Sequence, residues 1–137
     1  MSNVTPTLQA PAHGTRHPVV LVAEDSQEQR AILVAWLRQA GFDTCEAANG
    51  TDAQQMLAHL HVDCALLDVV MPGVDGYKLC RRLRDAHVVR RIPVVLMSAK
   101  TQPIDKKWGL QQGASAYLFK PFTQVDLVAT IRAAIAR

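Results

Sequence analysis

Val19-Val20-Leu21-Val22-Ala23-Glu24-Asp25 is a run of five apolar residues that stops at two acids. A short, unbroken apolar run of this kind reads as a β-strand buried on both faces. Downstream, residues 27–39 carry Ile32, Leu33, Trp36 and Leu37 at helical spacing, and Gly41 ends that helix. Residues 42–47 alternate in character and read as a less buried, edge-like strand. A helix follows from about Thr51 to His59, then a third strand at Val62–Leu67. Asp75 is placed to cap a helix over Gly76–Asp85 that turns Tyr77, Leu79, Cys80 and Leu83 inward. Pro93–Met97 is a fourth strand, with its proline tolerated at the first position. Residues 103–112 form a weaker helix with Ile104 and Trp108 at i, i+4, and Gly109 lowers its helix preference by roughly 1 kcal/mol relative to Ala. That helix is therefore expected to be mobile. Ala116–Phe119 is the fifth strand. Residues 123–136 close the pattern as a helix bearing Val125, Leu127, Val128, Ile131 and Ile135.

Five strands alternating with five helices specify an α/β domain, a doubly wound parallel sheet with helices on both faces. The edge-like second strand favours the order 2-1-3-4-5. Ligands of such sheets sit beyond the carboxyl ends of the strands, at the switch point. Residues 1–17 lack periodicity and read as a flexible tail ahead of a domain over 18–137.

Composition narrows the function. The chain has 137 residues, 49% of them hydrophobic, which suits one domain with a real core. No apolar run reaches the roughly 18 residues a membrane helix needs, and no signal peptide leads the chain, so a cytoplasmic location is expected. Cys45, Cys64 and Cys80 are odd in number and form no CxxC pair, which argues against a disulfide framework or a zinc site. The histidines form no metal pattern, and His59 and His61 do not share a helix face. Net charge is +3, with Arg81, Arg82, Arg84, Arg90 and Arg91 clustered on one helix and its exit loop. Without interleaved aromatics or a helix-turn-helix pattern, this cluster reads as a solvated or protein-docking face, and direct nucleic-acid binding is not expected.

The strand ends carry the chemistry. Glu24 and Asp25 follow the first strand, Asp68 the third, Ser98 the fourth, and Lys120-Pro121 the fifth. These strands are neighbours in the expected order, so the groups converge on one edge. Two unit charges 4 Å apart repel by about 4 kcal/mol at an effective dielectric of 20, so three carboxylates there call for a cation. An all-oxygen donor set selects a hard ion such as Mg²⁺. Ser98 can donate to a phosphoryl oxygen and Lys120 can neutralise another. The set suits phosphoryl transfer to a carboxylate nucleophile.

Glu24-Asp25, Leu66-Leu67-Asp68, Met71-Pro72-Gly73-Val74-Asp75-Gly76, Ser98-Ala99 and Tyr117-Leu118-Phe119-Lys120-Pro121 resemble the receiver domains of bacterial two-component response regulators, over residues 18–136. The resemblance implies a flavodoxin-like (βα)5 fold. It implies Asp68 as phosphoacceptor, with Lys120 and Ser98 acting on the phosphoryl group. It implies Mg²⁺, for which Mn²⁺ can substitute, on Asp25, Asp68 and the Val70 backbone carbonyl. Glu24, where the family often has Asp, would assist, directly or through water. Ser98 and Tyr117 would be the switch pair, the aromatic turning inward as the hydroxyl moves, and Ala99 leaves space beside them. The Lys120–Pro121 bond is expected to be cis. A sensor histidine kinase would be the phosphodonor, and the face of the fourth helix, fifth strand and fifth helix would bind a protein target. The chain would work as a monomer or weak dimer. Residues 105–114 are similar to regulators of the chemotaxis-like system that controls type IV pilus twitching motility.

Other readings fit less well. An aspartate-nucleophile phosphohydrolase needs a second acid two residues after the nucleophile, and Val70 stands there. Only self-phosphorylation and autodephosphorylation chemistry is therefore expected, not turnover. A flavin carrier needs a phosphate loop where this chain has Glu24-Asp25. A phosphorylation-independent receiver-like module and a receiver fragment of a larger regulator remain as alternatives. Val70 and Lys100, two residues after Asp68 and Ser98, are expected to tune phosphoryl lifetime.

Overall fold

The computed structural model describes residues 16–86 and 91–136. Five strands, β1 (Val19–Ala23), β2 (Asp43–Ala47), β3 (Cys64–Asp68), β4 (Val94–Ser98) and β5 (Ala116–Phe119), alternate with helices α1 (Gln27–Gln39), α2 (Gly50–His59), α3 (Gly76–Asp85), α4 (Pro103–Gln111) and α5 (Gln124–Ala136). All pairings are parallel, in the order β2-β1-β3-β4-β5. The winding therefore reverses between β1 and β3, whose carboxyl ends open a crevice.

The period of two along each strand splits the core into two layers. Val20, Val22, Leu66 and Met97 face α1 and α5, where Leu33, Leu37, Leu127 and Ile131 are buried. Leu21, Ala23, Leu67 and Leu96 face the other side, with Ala53, Leu57 and Leu79. Each fully buried leucine contributes roughly 1.5–3 kcal/mol.

Several expectations are corrected. The third and fourth strands begin later and run one residue further than Val62–Leu67 and Pro93–Met97. The ladder continues to Asp68↔Met97 and Ser98↔Phe119, so both polar residues are terminal strand residues held by the sheet. Pro93 stays outside β4, although its carbonyl accepts from Ala65 N at 2.9 Å. In α1, Ile32 is 51% exposed and Val34 takes the buried place, because the helix covers α5 as well as the sheet. In α5 the buried stripe is Leu127, Ile131 and Ala134. Val125 lies about 200° around the helix from Leu127 and is 76% exposed. In α4, Ile104 and Trp108, the pair at i, i+4, are exposed, and the buried residue is Gly109. A Cβ on Gly109 would sit 2.8 Å from Tyr117 Cδ2 and 3.0 Å from Leu96 Cδ1. This glycine is thus a close-approach site as well as a weak point in the helix.

Residues 1–15 of the expected tail lie outside the described residues, as does Arg90. Arg16 pairs with Asp63 at 3.5 Å, and His17 Nδ1 lies 3.6 Å from Asp43. The arginines of α3 tether it to its neighbours. Arg81 donates to Gln112 Oε1, Arg82 to Gln54 Oε1 and Arg84 to the Gln111 carbonyl. Among the described residues no helix is long and apolar enough to cross a membrane.

Candidate functional site

Asp68 is presented at the end of β3 by a tight turn into α3. Gly76 N donates to the Val69 carbonyl at 2.9 Å, and a Cβ on Gly76 would lie 2.5 Å from the Asp68 carbonyl oxygen. Only glycine lets α3 start this close behind the strand. Asp75 caps the helix by accepting from Lys78 N at 2.8 Å, a contact worth about 1 kcal/mol.

The Asp68 carboxylate is buried and held at both oxygens. Oδ1 accepts from Val70 N at 2.9 Å, and Oδ2 from Lys120 Nζ at 2.5 Å. Lys120 also donates to Glu24 Oε1 at 2.6 Å and to Gln29 Oε1 at 2.9 Å. Glu24 is 2% exposed, and its second oxygen accepts from Ser26 N at 3.0 Å. Arg30 donates to the Glu24 carbonyl at 2.7 Å. Burial acts to lower the Lys120 pKa, but the hydrogen bonds to Asp68 and Glu24 outweigh it and hold the ammonium above its ordinary value.

Lys120 thus offsets two of the three acids, Asp68 and Glu24, while Asp25 stays outside its reach of hydrogen bonds. Glu24, Asp25, Asp68, Val70, Ser98 and Lys120 line a shared open cavity of about 420 Å³. Asp25 stands exposed at its rim. Among the described residues no three His, Cys, Asp or Glu side chains form a ready-made metal cage. The donor set nevertheless fits Mg²⁺, which keeps several waters and needs only one or two carboxylates.

Ser98 is buried at the end of β4, and its Oγ accepts from Lys100 N at 3.0 Å. Its carbonyl accepts from Lys120 N at 2.8 Å, and the following Lys120–Pro121 bond is cis. Tyr117 already lies inward. Its hydroxyl donates to the Lys100 carbonyl at 3.2 Å and is 3.4 Å from the Tyr77 hydroxyl. Tyr77 donates in turn to the Asp105 carbonyl at 3.2 Å. Val70, 61% exposed, and Lys100 stand at the cavity lining. Beyond the cavity, Ile104, Trp108 and Leu110 of α4, Phe119 of β5 and Val125 of α5 are exposed apolar residues on the expected output elements.

Gln29, Ser26 and Tyr77 are the residues that motif reading did not single out for the site. A polar residue in the first turn of a surface helix and an aromatic on an amphipathic one carry no signal of their own. Gln29 sits four residues beyond Asp25, one helical turn, and that spacing is the only hint.

Residues 20–132 match the family described as the response regulator receiver domain. The transcriptional regulatory protein GltR of Pseudomonas aeruginosa is 36% identical over 118 residues, covering 86% of this chain and 49% of GltR. The chain thus spans about half the length of relatives of that kind. Protein PilH of the same organism is 36% identical over 117 residues, covering 85% of this chain and 97% of PilH. The solved receiver domain of a Pseudomonas aeruginosa sensor histidine kinase, with a magnesium ion coordinated in its active-site cleft, superposes with a TM-score of 0.80 at 28% identity, covering 88% of this chain and 99% of that one. Fold, motif positions and family match agree, and the chain belongs to the response regulator receiver domains.

Proposed function

We propose that Asp68 accepts a phosphoryl group from a histidine kinase and that the resulting acyl phosphate changes which protein binds the face formed by α4, β5 and α5. The observation that carries this reading is the Lys120 ammonium bridging Asp68 and Glu24 in an open cavity that Ser98 also lines. An Asp68 oxygen attacks phosphorus, the bond from phosphorus to the donor nitrogen breaks, and its electron pair returns to the imidazole. Lys120 neutralises charge on the phosphoryl oxygens, and the Ser98 hydroxyl donates to one of them. Mg²⁺ on Asp25, Asp68 and the Val70 carbonyl, with Glu24 assisting through water, would supply further positive charge. The similar receiver with magnesium in its cleft supports that assignment.

Position 70 offers no general acid, so the chain acts as an acceptor that phosphorylates and dephosphorylates itself, not a turnover enzyme. Val70 and Lys100 tune the lifetime of the phosphoryl group. The chain works in the cytoplasm, as a monomer or weak dimer. Similarity across nearly all of PilH supports a stand-alone receiver, and residues 105–114 support a motility pathway. Similarity to GltR over half its length favours a second reading, the receiver part of a transcriptional regulator.

The test of switching is hydrogen exchange with and without beryllofluoride, a phosphoryl mimic, at saturating Mg²⁺. Exchange should change across residues 98–119 in wild type and not in Asp68→Asn. An unchanged pattern with beryllofluoride bound would refute switching through this face.

A further inference from the structure

The Lys120 ammonium has three protons and three oxygen acceptors, and these do not share one fate during phosphorylation. Asp68 Oδ2 and Glu24 Oε1 are carboxylate oxygens. The carboxylate of Asp68 is consumed when it becomes an acyl phosphate, and a divalent cation competes for acidic oxygens. The third acceptor, Gln29 Oε1 at 2.9 Å, is a neutral amide that neither event consumes.

Gln29 is held in place by the same local structure that holds Glu24. Ser26 N donates to Glu24 Oε2 at 3.0 Å, and Ser26 Oγ accepts from Gln29 N at 3.3 Å as the N-cap of α1. Glu24, Ser26, Gln29 and Lys120 thus close a ring of hydrogen bonds, with the Lys120 ammonium as the member that also reaches Asp68. Gln29 Oε1 is the neutral acceptor in this ring, so its hold on the ammonium does not depend on the charge of Asp68.

We propose that Gln29 is a positioning residue that keeps the Lys120 ammonium aimed at the phosphoryl group after Asp68 has lost its carboxylate charge. The proposal rests on Asp68 being the phosphoacceptor. Gln29 acts through Lys120, and its contribution belongs to the phosphorylated state more than to the resting one.

The test is Gln29→Leu in the full chain, which keeps helix preference and removes the acceptor. Three quantities are read: beryllofluoride affinity at saturating Mg²⁺, Mg²⁺ affinity without beryllofluoride by thermal shift, and the side-chain ammonium resonance of Lys120 by NMR. Beryllofluoride affinity is expected to fall by about fivefold, the scale of one ordinary hydrogen bond. Mg²⁺ affinity and melting temperature should hold, and the ammonium signal should broaden or shift. Unchanged beryllofluoride affinity, or an unchanged ammonium signal, would overturn the proposal. Equal losses of Mg²⁺ and beryllofluoride affinity would overturn it too, by showing general damage to the site. Wild type that binds no beryllofluoride would overturn the phosphoacceptor reading itself, an outcome distinct from failure of the variant.

Discussion

Ser98 and Tyr117 are joined through the main chain of one residue: Lys100 donates its N–H to Ser98 Oγ at 3.0 Å and accepts the Tyr117 hydroxyl on its carbonyl at 3.2 Å. A movement of the Ser98 hydroxyl toward a phosphoryl oxygen would therefore pull on the residue whose carbonyl anchors the Tyr117 ring. Because that ring is buried, the link has a stability consequence. Tyr117→Phe keeps the ring and removes the hydroxyl. It is expected to lower unfolding free energy by about 1 kcal/mol, read from urea melts, and to speed amide exchange around residue 100. No change in either would show that the hydroxyl contact carries no weight.

Gly109 sets two effects against each other. Alanine would favour α4 by roughly 1 kcal/mol on helix preference alone. Its Cβ would meet the buried Tyr117 ring at 2.8 Å and Leu96 at 3.0 Å, and overpacking of this kind costs typically 1–3 kcal/mol. Gly109→Ala should therefore be net destabilising in wild type. In a Tyr117→Ala background, where the ring is gone, the same change should cost less or stabilise. Equal effects in the two backgrounds would rule out the ring as the cause.

Stability should be present at neutral pH and lost in alkali. Burial pushes the Cys45 and Cys80 thiols up to about 11 and Cys64 up to about 12, from an ordinary 9.0. Burial and the neighbouring Tyr117 hydroxyl also raise Tyr77 above its ordinary 10.0. Groups with raised folded values hold protons that the unfolded chain releases, so stability is fully present below the unfolded values and lost as pH climbs past them. Urea midpoints should be flat with respect to these groups to about pH 8.5 and fall from about pH 9 upward. Cys64→Ala should flatten the start of that fall.

Mg²⁺ should raise the melting temperature by mass action. A ligand at 100 times its dissociation constant stabilises by about 2.7 kcal/mol. Asp68→Asn should lose most of that shift. Its effect without Mg²⁺ should be smaller than carboxylate repulsion alone suggests, because Lys120 already offsets the acids. An equal Mg²⁺ response in the variant would place the ion elsewhere.

Much of this arrangement is legible in the sequence because parallel strands are short apolar runs, and the acids, serine and lysine that end them mark the same sheet edge. The strand order follows from the weak alternation of 42–47, which sits at the edge as β2. What stays hidden is set by tertiary contact. Ile32 and Val34 are both β-branched and apolar, and only the placement of α5 decides that Val34 is buried. Gly109 reads as a helix flaw until Tyr117 and Leu96 are seen against it. Gln29 has no motif, and its role depends on a lysine 91 residues away.

The most direct measurement is intact mass after incubation with acetyl phosphate, with and without Mg²⁺, for wild type and Asp68→Ala. One added phosphoryl group that requires both Mg²⁺ and Asp68 is the expected result. Addition that persists in Asp68→Ala, or none in wild type alongside no response to beryllofluoride, would contradict phosphorylation at Asp68 and favour a receiver that binds its partner without it.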